Sequence, residues 1–360
     1  MKINFNLFLI LLVFAGCSPK KMITKNNIDF YSRKSIESKM AQVYDWQVKH
    51  PVQVNISEDW ARAVLYIGAM RAYSTTKEKP YIEGSMKYSQ SVNWKAGKRF
   101  RHADDLARGQ AFLDIFSYKK QPEMLEGIKS RVDSIIASPK KGRDDWWWCD
   151  ALFMEPPVLV RLAEQTKNKK YYQYLNDKWW DSTDYLMDKE ENLYYRDKRF
   201  FEMRTSNGKK VFWSRGNGWV MGGLSQVLEH LPKTDPYHAR YVELFQNMAA
   251  KIKGLQHQDG FWPASLLDPD EVPVKETSGT GFFVFALAWG INNGYLDKTE
   301  YLPTVKRGWE ALWHAVEPDG KLTWVQQIGA KPESVKKDDN QEYGSGAFLM
   351  AGTELIKLKL

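Results

Sequence analysis

Apolar residues along the chain recur at the three- to four-residue spacing of helices, and the alternation typical of strands is almost absent. We therefore predict an all-α protein. The periodic segments are twelve in number and are expected near residues 36–47, 60–71, 78–95, 104–118, 121–137, 150–166, 169–186, 216–231, 236–254, 278–293, 299–316 and 344–357.

These segments differ in how much of their surface is apolar. Residues 236–254 carry one apolar face, which is typical of a helix on the outside of a molecule, whereas residues 282–289 are apolar all round and should be buried. Six buried helices alternating with six half-exposed ones predict an (α/α)6 barrel, with an inner ring inside an outer ring. An open helical solenoid is the rival, but no fixed-period repeat is visible.

The composition narrows the classes of function. The chain has 15 Trp, 18 Tyr and 17 Phe, which can fill a core or offer flat faces to sugar rings. Its net charge of +8 is spread among acidic residues, so nucleic-acid binding has little support, while an anionic small substrate fits. The six His are dispersed, and neither a metal-binding spacing nor a serine-hydrolase elbow is present, so we predict no metal and no cofactor.

The N-terminus follows the order of a secretory signal, with Lys2, an apolar run over residues 7–14 and small residues before Cys17. The ending resembles a bacterial lipobox, although Phe14 departs from it. We expect a signal peptide over 1–16, lipidation at Cys17, a tether over 17–30 and one catalytic domain over 31–360. The protein would then be exported and anchored to a membrane, with the periplasmic face favoured; plain signal cleavage is the alternative. Cys149 would be the remaining thiol, and its aromatic neighbours indicate a buried structural cysteine.

Two segments place carboxylates at the start of predicted helices. Asp104 and Asp105 follow His102, and there they suit either the first turn of a helix or an acid pair. Asp150 ends the sequence DWWWCD at residues 145–150. A helix cap is one interpretation of Asp150; the other is a general acid whose pKa is raised because the aromatic residues exclude water.

A third segment, FWSRGNGW at residues 212–219, also leads into a helix. Arg215 offers a planar fork for a carboxylate, and Trp213 and Trp219 offer ring faces, but Arg215 could equally form a buried ion pair. Small polar residues at 276–281 and 343–346 suit hydrogen bonds to sugar hydroxyls and are weak signals alone.

Taken together, the segments 147–154, 213–219 and 278–281 resemble the unsaturated rhamnogalacturonyl hydrolases of glycoside hydrolase family 105 in order and spacing. The resemblance covers about residues 31–360. It implies an (α/α)6 barrel that removes the 4,5-unsaturated uronic acid left at the non-reducing end of an oligosaccharide by a polysaccharide lyase. The expected substrate is of the pectic rhamnogalacturonan type, and the lyase is the upstream partner.

The same resemblance implies roles for single residues. Asp150 matches the general acid/base and Asp104 the second carboxylate. The matching substrate contacts are Arg215, Trp213 and Trp219, with Lys140 or Lys141 as a further match. We also expect Arg196, Trp148 and Asp105 to contact the substrate. Where some members carry a His after LFY, this chain has Arg196, which puts the substrate preference in question.

The implied reaction is hydration of the C4=C5 double bond, with protonated Asp150 giving its proton to C4 and the Asp104 carboxylate keeping that proton in place. Three alternatives stay open at this stage: an inverting glycosidase on the same barrel, an ulvan- or glycosaminoglycan-type unsaturated uronyl hydrolase, and a carbohydrate-binding lipoprotein without catalysis.

Overall fold

The structure is a computed structural model that describes residues 29–52 and 60–358, together with the terminal residues Met1 and Leu360. The predicted signal peptide, Cys17 and most of the tether lie outside the described residues. No helix within the described part of the chain has both the length and the apolar character needed to cross a membrane.

The described residues form fifteen α-helices, one short 3-10 helix (Lys198–Phe200) and one two-stranded hairpin. The helices are α1 (Arg33–Lys49), α2 (Trp60–Thr76), α3 (Lys79–Ser91), α4 (Ala103–Leu106), α5 (Arg108–Lys119), α6 (Glu123–Ile136), α7 (Gly142–Asp145), α8 (Ala151–Met154), α9 (Pro156–Thr166), α10 (Lys170–Leu186), α11 (Ser214–His230), α12 (His238–Gly254), α13 (Thr277–Asn292), α14 (Lys298–His314) and α15 (Glu342–Lys357). The hairpin pairs β1 (Met187–Asp188) with β2 (Leu193–Tyr194) in antiparallel register.

Six helices close into an inner ring. Contacts run from α2 to α5, α9, α11, α13 and α15 in turn, and α15 packs back on α2. The outer helices α1, α3, α6, α10, α12 and α14 each pack against a member of that ring. This arrangement is the (α/α)6 barrel, and it confirms the fold class expected from the sequence.

Burial follows the two rings. Every residue from Thr277 to Ile291 of α13 is buried, whereas α12 buries one face that includes Tyr241, Phe245 and Met248. Both observations confirm the expected difference between an all-apolar helix and an amphipathic one. Small residues let the inner helices approach closely, since a Cβ added at Gly68 of α2 would lie 2.5 Å from the carbonyl oxygen of Gly346 on α15.

All twelve expected helices are present, but two of them are interrupted. The 104–118 segment breaks between α4 and α5 at Ala107, and the 150–166 segment breaks between α8 and α9 at Glu155. Pro156 and Pro157 occupy the first turn of α9, where proline is tolerated because those amide groups lack helical partners. Each short helix thereby holds its carboxylate residues just before a long inner helix begins.

The end of the barrel formed by the last turns of α2, α11 and α15 holds a buried charge cluster. Arg71 is 8% exposed and donates to Glu229, with its Nη1 2.8 Å from Oε2, and to Glu354, which is fully buried. Nearby, Arg161 pairs with Asp114 and donates to Gln226. These bonds join five inner helices, α2, α5, α9, α11 and α15, near the end of the barrel where they finish.

Candidate active site

The inner helices begin at the opposite end of the barrel, where aromatic rings pack together. Trp219 contacts the rings of Trp60, Phe153 and Phe282, at centroid distances of 5.8, 4.8 and 4.3 Å. Trp219 has no exposed surface, so it forms the floor of this end of the barrel. The expectation of a free Trp219 ring face for substrate therefore needs correction, because other aromatic rings already cover it.

Asp150 lies at the N-cap position of α8, yet its side chain makes no capping hydrogen bond. The residue is 8% exposed, and its Oδ2 lies 3.5 Å from Cys149 Sγ and 3.6 Å from Arg196 Nε. Cys149 is fully buried, as expected, and its Sγ lies 3.2 Å from the position of a Cβ at Gly216, which shows how tightly α11 packs here. The carboxyl group of Asp150 therefore does not cap the helix.

Asp104 lies in the first turn of α4, which packs on α8. Its side chain is 15% exposed, with Arg99 Nη2 at 3.7 Å and His102 Nδ1 at 3.5 Å from its Oδ2. The neighbouring Asp105 points to another partner. It accepts from the backbone nitrogen and the guanidinium of Arg99, so the structure gives Asp105 a structural bond in place of the expected substrate contact.

The two carboxyl groups are electrostatically coupled. Burial, followed by the charge of Asp150, raises the pKa of Asp104 to about 7, against the opposing effect of Arg99. Burial also raises the pKa of Asp150, but Arg196 and then Arg215 oppose that rise. Two like charges in a buried site cannot both be ionised cheaply, so the pair retains one proton near neutral pH. Arg196 and Arg215 favour the charged form of Asp150 and so favour Asp104 as the site of that proton in the free enzyme, whereas the sequence predicts that Asp150 carries it.

Arg215 is 1% exposed, and its two terminal nitrogens have partners while its Nε has none among the described residues. Nη1 donates to the carbonyl oxygen of Gln326 at 2.8 Å, and Nη2 donates to that of Gln327 at 2.9 Å. Its guanidinium also stacks 4.2 Å from the ring centroid of Trp213, which is 2% exposed and donates from Nε1 to the Gln326 side chain. Arg215 and Trp213 therefore hold the 326–327 segment against α11, and backbone carbonyls already take one hydrogen bond from each terminal nitrogen of Arg215. The substrate contact expected for these two residues stays a prediction.

The tryptophan segment divides into a buried and an exposed part. Trp148 is 3% exposed and packs against the His102 ring at 4.7 Å, so it supports the site from within. Trp147 is 40% exposed, and the Arg196 guanidinium lies 5.4 Å from its ring centroid. An exposed indole beside an arginine offers a stacking face and a cation to a sugar acid.

Lys140 and Lys141 lie exposed on the segment that leads into α7. The charge of Lys141 acts on Asp181 of α10, whose pKa is lowered against burial chiefly by Arg143. The structure shows no contact between either lysine and the described side chains of the carboxylate pair, so their role as substrate contacts stays a prediction.

Sequence reasoning overlooked the buried supports behind Asp150. Glu155 is 1% exposed and accepts from Trp146 Nε1 at 2.7 Å, and Asp145 accepts from Arg101 and Lys178 at 2.6 and 2.5 Å. The available signal was a pair of acidic residues five positions to either side of Asp150 among apolar neighbours. No group of three or more His, Cys, Asp and Glu side chains suited to a metal ion occurs among the residues that the structure describes.

Comparison with known proteins agrees with this geometry. The sequence model of Glycosyl Hydrolase Family 88 matches residues 31–359. An unsaturated 3S-rhamnoglycuronyl hydrolase of Formosa agariphila is 41% identical, covering 91% of this chain and 92% of the relative. A protein of the same name from Alteromonas sp. strain LOR is 36% identical over 85% of this chain and 79% of the relative.

Among solved structures, a glycosyl hydrolase family 88 protein from Bacteroides vulgatus superposes with a TM-score of 0.85 and 31% identity, covering 90% of this chain and 99% of that one. The family match spans nearly the whole described barrel, and it includes both carboxylate segments. The chain belongs to Glycosyl Hydrolase Family 88 and is a glycoside hydrolase.

Proposed function

We propose that this enzyme removes a 4,5-unsaturated uronic acid from the non-reducing end of oligosaccharides by hydrating its C4=C5 double bond. The observation that carries the proposal is the buried Asp104 and Asp150 pair, which retains one proton while Arg196 lies 3.6 Å from Asp150. A proton donor, a carboxylate and a cation are the groups that this reaction requires on one side of a sugar ring.

The reaction begins with protonation of carbon. The electron pair of C4=C5 takes a proton from a carboxyl group to form the C4–H bond, which leaves oxocarbenium character shared by C5 and the ring oxygen. Water then adds to C5 and gives its proton to the carboxylate. The resulting hemiketal opens to a C5 ketone, and the hemiacetal left at C1 releases the next sugar.

The resting protonation state suggests how substrate starts this sequence. Arg196 favours the charged form of Asp150 in the free enzyme. A uronate carboxylate that binds Arg196 competes for that guanidinium, and the pKa of Asp150 then rises. The shared proton then moves from Asp104 to Asp150, so Asp150 is protonated and can act as the acid when the double bond is bound.

The names of the relatives and the sequence motifs indicate different substrate classes, and we give more weight to the relatives. Relatives of 41% and 36% identity carry the name unsaturated 3S-rhamnoglycuronyl hydrolase, and a Bacillus subtilis unsaturated rhamnogalacturonyl hydrolase is 23% identical. We infer that an unsaturated rhamnoglycuronyl group, of the kind that the names of these two relatives give, is preferred over the pectic type expected from the sequence. Arg196 and the exposed Trp147 suit an anionic sugar. A lyase that cleaves by elimination is the source of such ends.

The finer family assignment and the cellular location rest on sequence alone. The motifs at 147–154 and 213–219 support glycoside hydrolase family 105 as the closer group. The order of residues before Cys17 supports an exported lipoprotein on the periplasmic face of a membrane.

The test uses the ultraviolet absorbance of the enol ether in lyase digests of ulvan-type, pectic and glycosaminoglycan polymers. We expect the band to disappear as sugar is released, fastest with the ulvan-type digest. Sugar release with the band intact would establish an ordinary inverting glycosidase instead. Binding without loss of the band or release of sugar would support the non-catalytic alternative and overturn the proposal.

A further inference from the structure

His102 is a partly buried side chain, 25% exposed, that the reaction above leaves unused. It occupies the N-cap position of α4, but its imidazole makes no capping bond. The ring packs against Trp148, and its Nδ1 is buried, lies 3.5 Å from Oδ2 of Asp104 and has no formed hydrogen bond. The ring thus contacts both carboxylate segments, since Trp148 lies two residues before Asp150.

The surroundings keep this imidazole neutral. Burial, followed by the charge of Arg99, lowers the pKa of His102 to about 4; Asp105 opposes this effect and Arg196 adds to it. A neutral imidazole has one N–H donor and one nitrogen that accepts. Because Nδ1 faces a carboxyl group, the proton belongs on Nε2 whenever that carboxyl group is itself protonated.

We propose that His102 is a positioning residue whose Nδ1 accepts a hydrogen bond from protonated Asp104 and so fixes the shared proton on Oδ2 until substrate binds. The inference rests on the proposed function, because it concerns the carboxyl pair of that reaction. A separation of 3.5 Å is slightly longer than a formed hydrogen bond, and such contacts shorten when the reactive complex assembles.

The proposal has a direct consequence for pH dependence. An acceptor at Nδ1 stabilises the protonated form of Asp104, so its removal lowers the pKa of Asp104. Titratable and charged groups around the ring are Arg99, Asp104, Asp105, Asp150 and Arg196, all of which stay unchanged in a His102 variant. We therefore expect the basic limb of the kcat/KM profile, which reports the free enzyme, to shift to lower pH when the acceptor is lost.

Two isosteric substitutions separate the ring nitrogens. In His102→Asn the side-chain oxygen occupies roughly the place of Nδ1, and in His102→Gln it reaches the place of Nε2. His102→Asn should retain kcat within about threefold and keep the basic limb of the pH profile. His102→Gln and His102→Ala should lose about tenfold or more in kcat, with KM little changed, as expected for the loss of one buried hydrogen bond. Full activity of His102→Ala, or rescue by Gln and not by Asn, would overturn the proposal.

Nitrogen NMR of the wild-type protein supplies a test that needs no turnover and no folded variant. The chain has six His, so the His102 signals must be assigned. They are the signals that are missing from the spectrum of His102→Asn, and selective labelling assigns them if that variant does not fold. We expect an imidazole with its proton on Nε2 and an accepting Nδ1 across pH 5.5 to 7, a range set by the pKa values of His102 and Asp104. A proton on Nδ1 at these pH values would exclude the hydrogen bond. Failure of the proposed function would appear separately, as wild-type enzyme that leaves the enol ether band unchanged.

Discussion

Arg196 Nε lies 3.6 Å from Oδ2 of Asp150, and Arg196 Nη1 donates to Asp197 at 2.7 Å. One guanidinium therefore serves a reacting carboxylate and a structural one. Asp197 is 1% exposed and also accepts from Arg199, so it anchors Arg196 from behind. The contact with Asp150 has no such second bond, which leaves the Nε face of Arg196 as the part that a substrate carboxylate can take over.

Arg196→Met tests this relationship. Without the guanidinium the pKa of Asp150 rises further, because Arg196 is the main group that lowers it. We expect the acid limb of kcat/KM to shift to higher pH. KM for an unsaturated uronyl substrate should rise about 10- to 100-fold, as for the loss of a charged hydrogen bond. Arg199→Met is the matched control, since Arg199 pairs with the same Asp197 and is exposed; equal effects in both variants would contradict a direct role for Arg196.

Asp150→Asn should abolish proton transfer while it preserves the shape of the site. We expect kcat to fall about 10²- to 10⁴-fold in the enol ether assay, with substrate binding retained in calorimetry. Asp144→Asn is a suitable control because Asp144 is exposed in the same segment. Turnover by Asp150→Asn at the wild-type rate would remove Asp150 from the mechanism.

The pH profile should report the proton held by Asp104. Burial and the charge of Asp150 raise the pKa of Asp104 to about 7 in the folded protein. As pH rises through 7 the pair loses its proton, so kcat/KM should fall on the basic side with an apparent pKa near 7. Asp104→Asn should be less active, and the basic limb near 7 should be missing from its profile. A wild-type profile that is flat from pH 6 to 9 would show that the pair shares no proton.

The fold could be predicted because its determinants are local. The apolar face of α12 and the fully apolar α13 show in the sequence which helix is outer and which is inner. Asp150 could be singled out for a similar reason, since three tryptophans precede it within the same segment.

The hydrogen bonding and protonation of single side chains depend on contacts between segments that are distant in the sequence. Arg215 is held by the carbonyl oxygens of Gln326 and Gln327, more than one hundred residues away, and nothing in FWSRGNGW indicates that its fork is occupied. Likewise, the order of protonation of Asp104 and Asp150 depends on Arg196, which comes from the segment after β2. Spacing along the chain cannot supply such information.

Glu155 provides a test of stability against pH. Burial raises its pKa from 4.5 to about 7, so the folded state binds its proton more tightly than the unfolded state. Stability from this group is therefore present below pH 4.5 and falls as pH rises to about 7, by up to about 3 kcal/mol. Glu155→Gln keeps an oxygen for the Trp146 bond and cannot ionise.

Urea unfolding at pH 5 and pH 8 measures this difference. The wild-type protein should lose more free energy of unfolding between the two pH values than Glu155→Gln does. The matched comparison is Glu164→Gln, a half-exposed helix glutamate whose pKa is lowered by its bond to His230. An identical pH dependence in wild type and Glu155→Gln would mean that Glu155 is ionised throughout.

The Arg71 cluster should govern stability without affecting catalysis. Arg71→Met removes the guanidinium from Glu229, whose side chain is 29% exposed, and from the fully buried Glu354, which keeps its bonds to Lys357 and Asn292. Breaking a buried ion pair costs about 3 to 5 kcal/mol, and we expect a loss at the lower end of that range because of the partners that remain. Urea unfolding should show that loss. At a temperature where the variant is folded, kcat and KM should match the wild type. The reason is that the cluster lies where α2, α11 and α15 end, whereas the carboxylate pair lies where the inner helices begin. The triple variant Arg71→Met, Glu229→Gln, Glu354→Gln should recover part of the stability, since it removes the unpaired charges. A loss that persists undiminished in the triple variant would assign the effect to packing of the Arg71 side chain on Phe285, which lies 4.7 Å from the guanidinium.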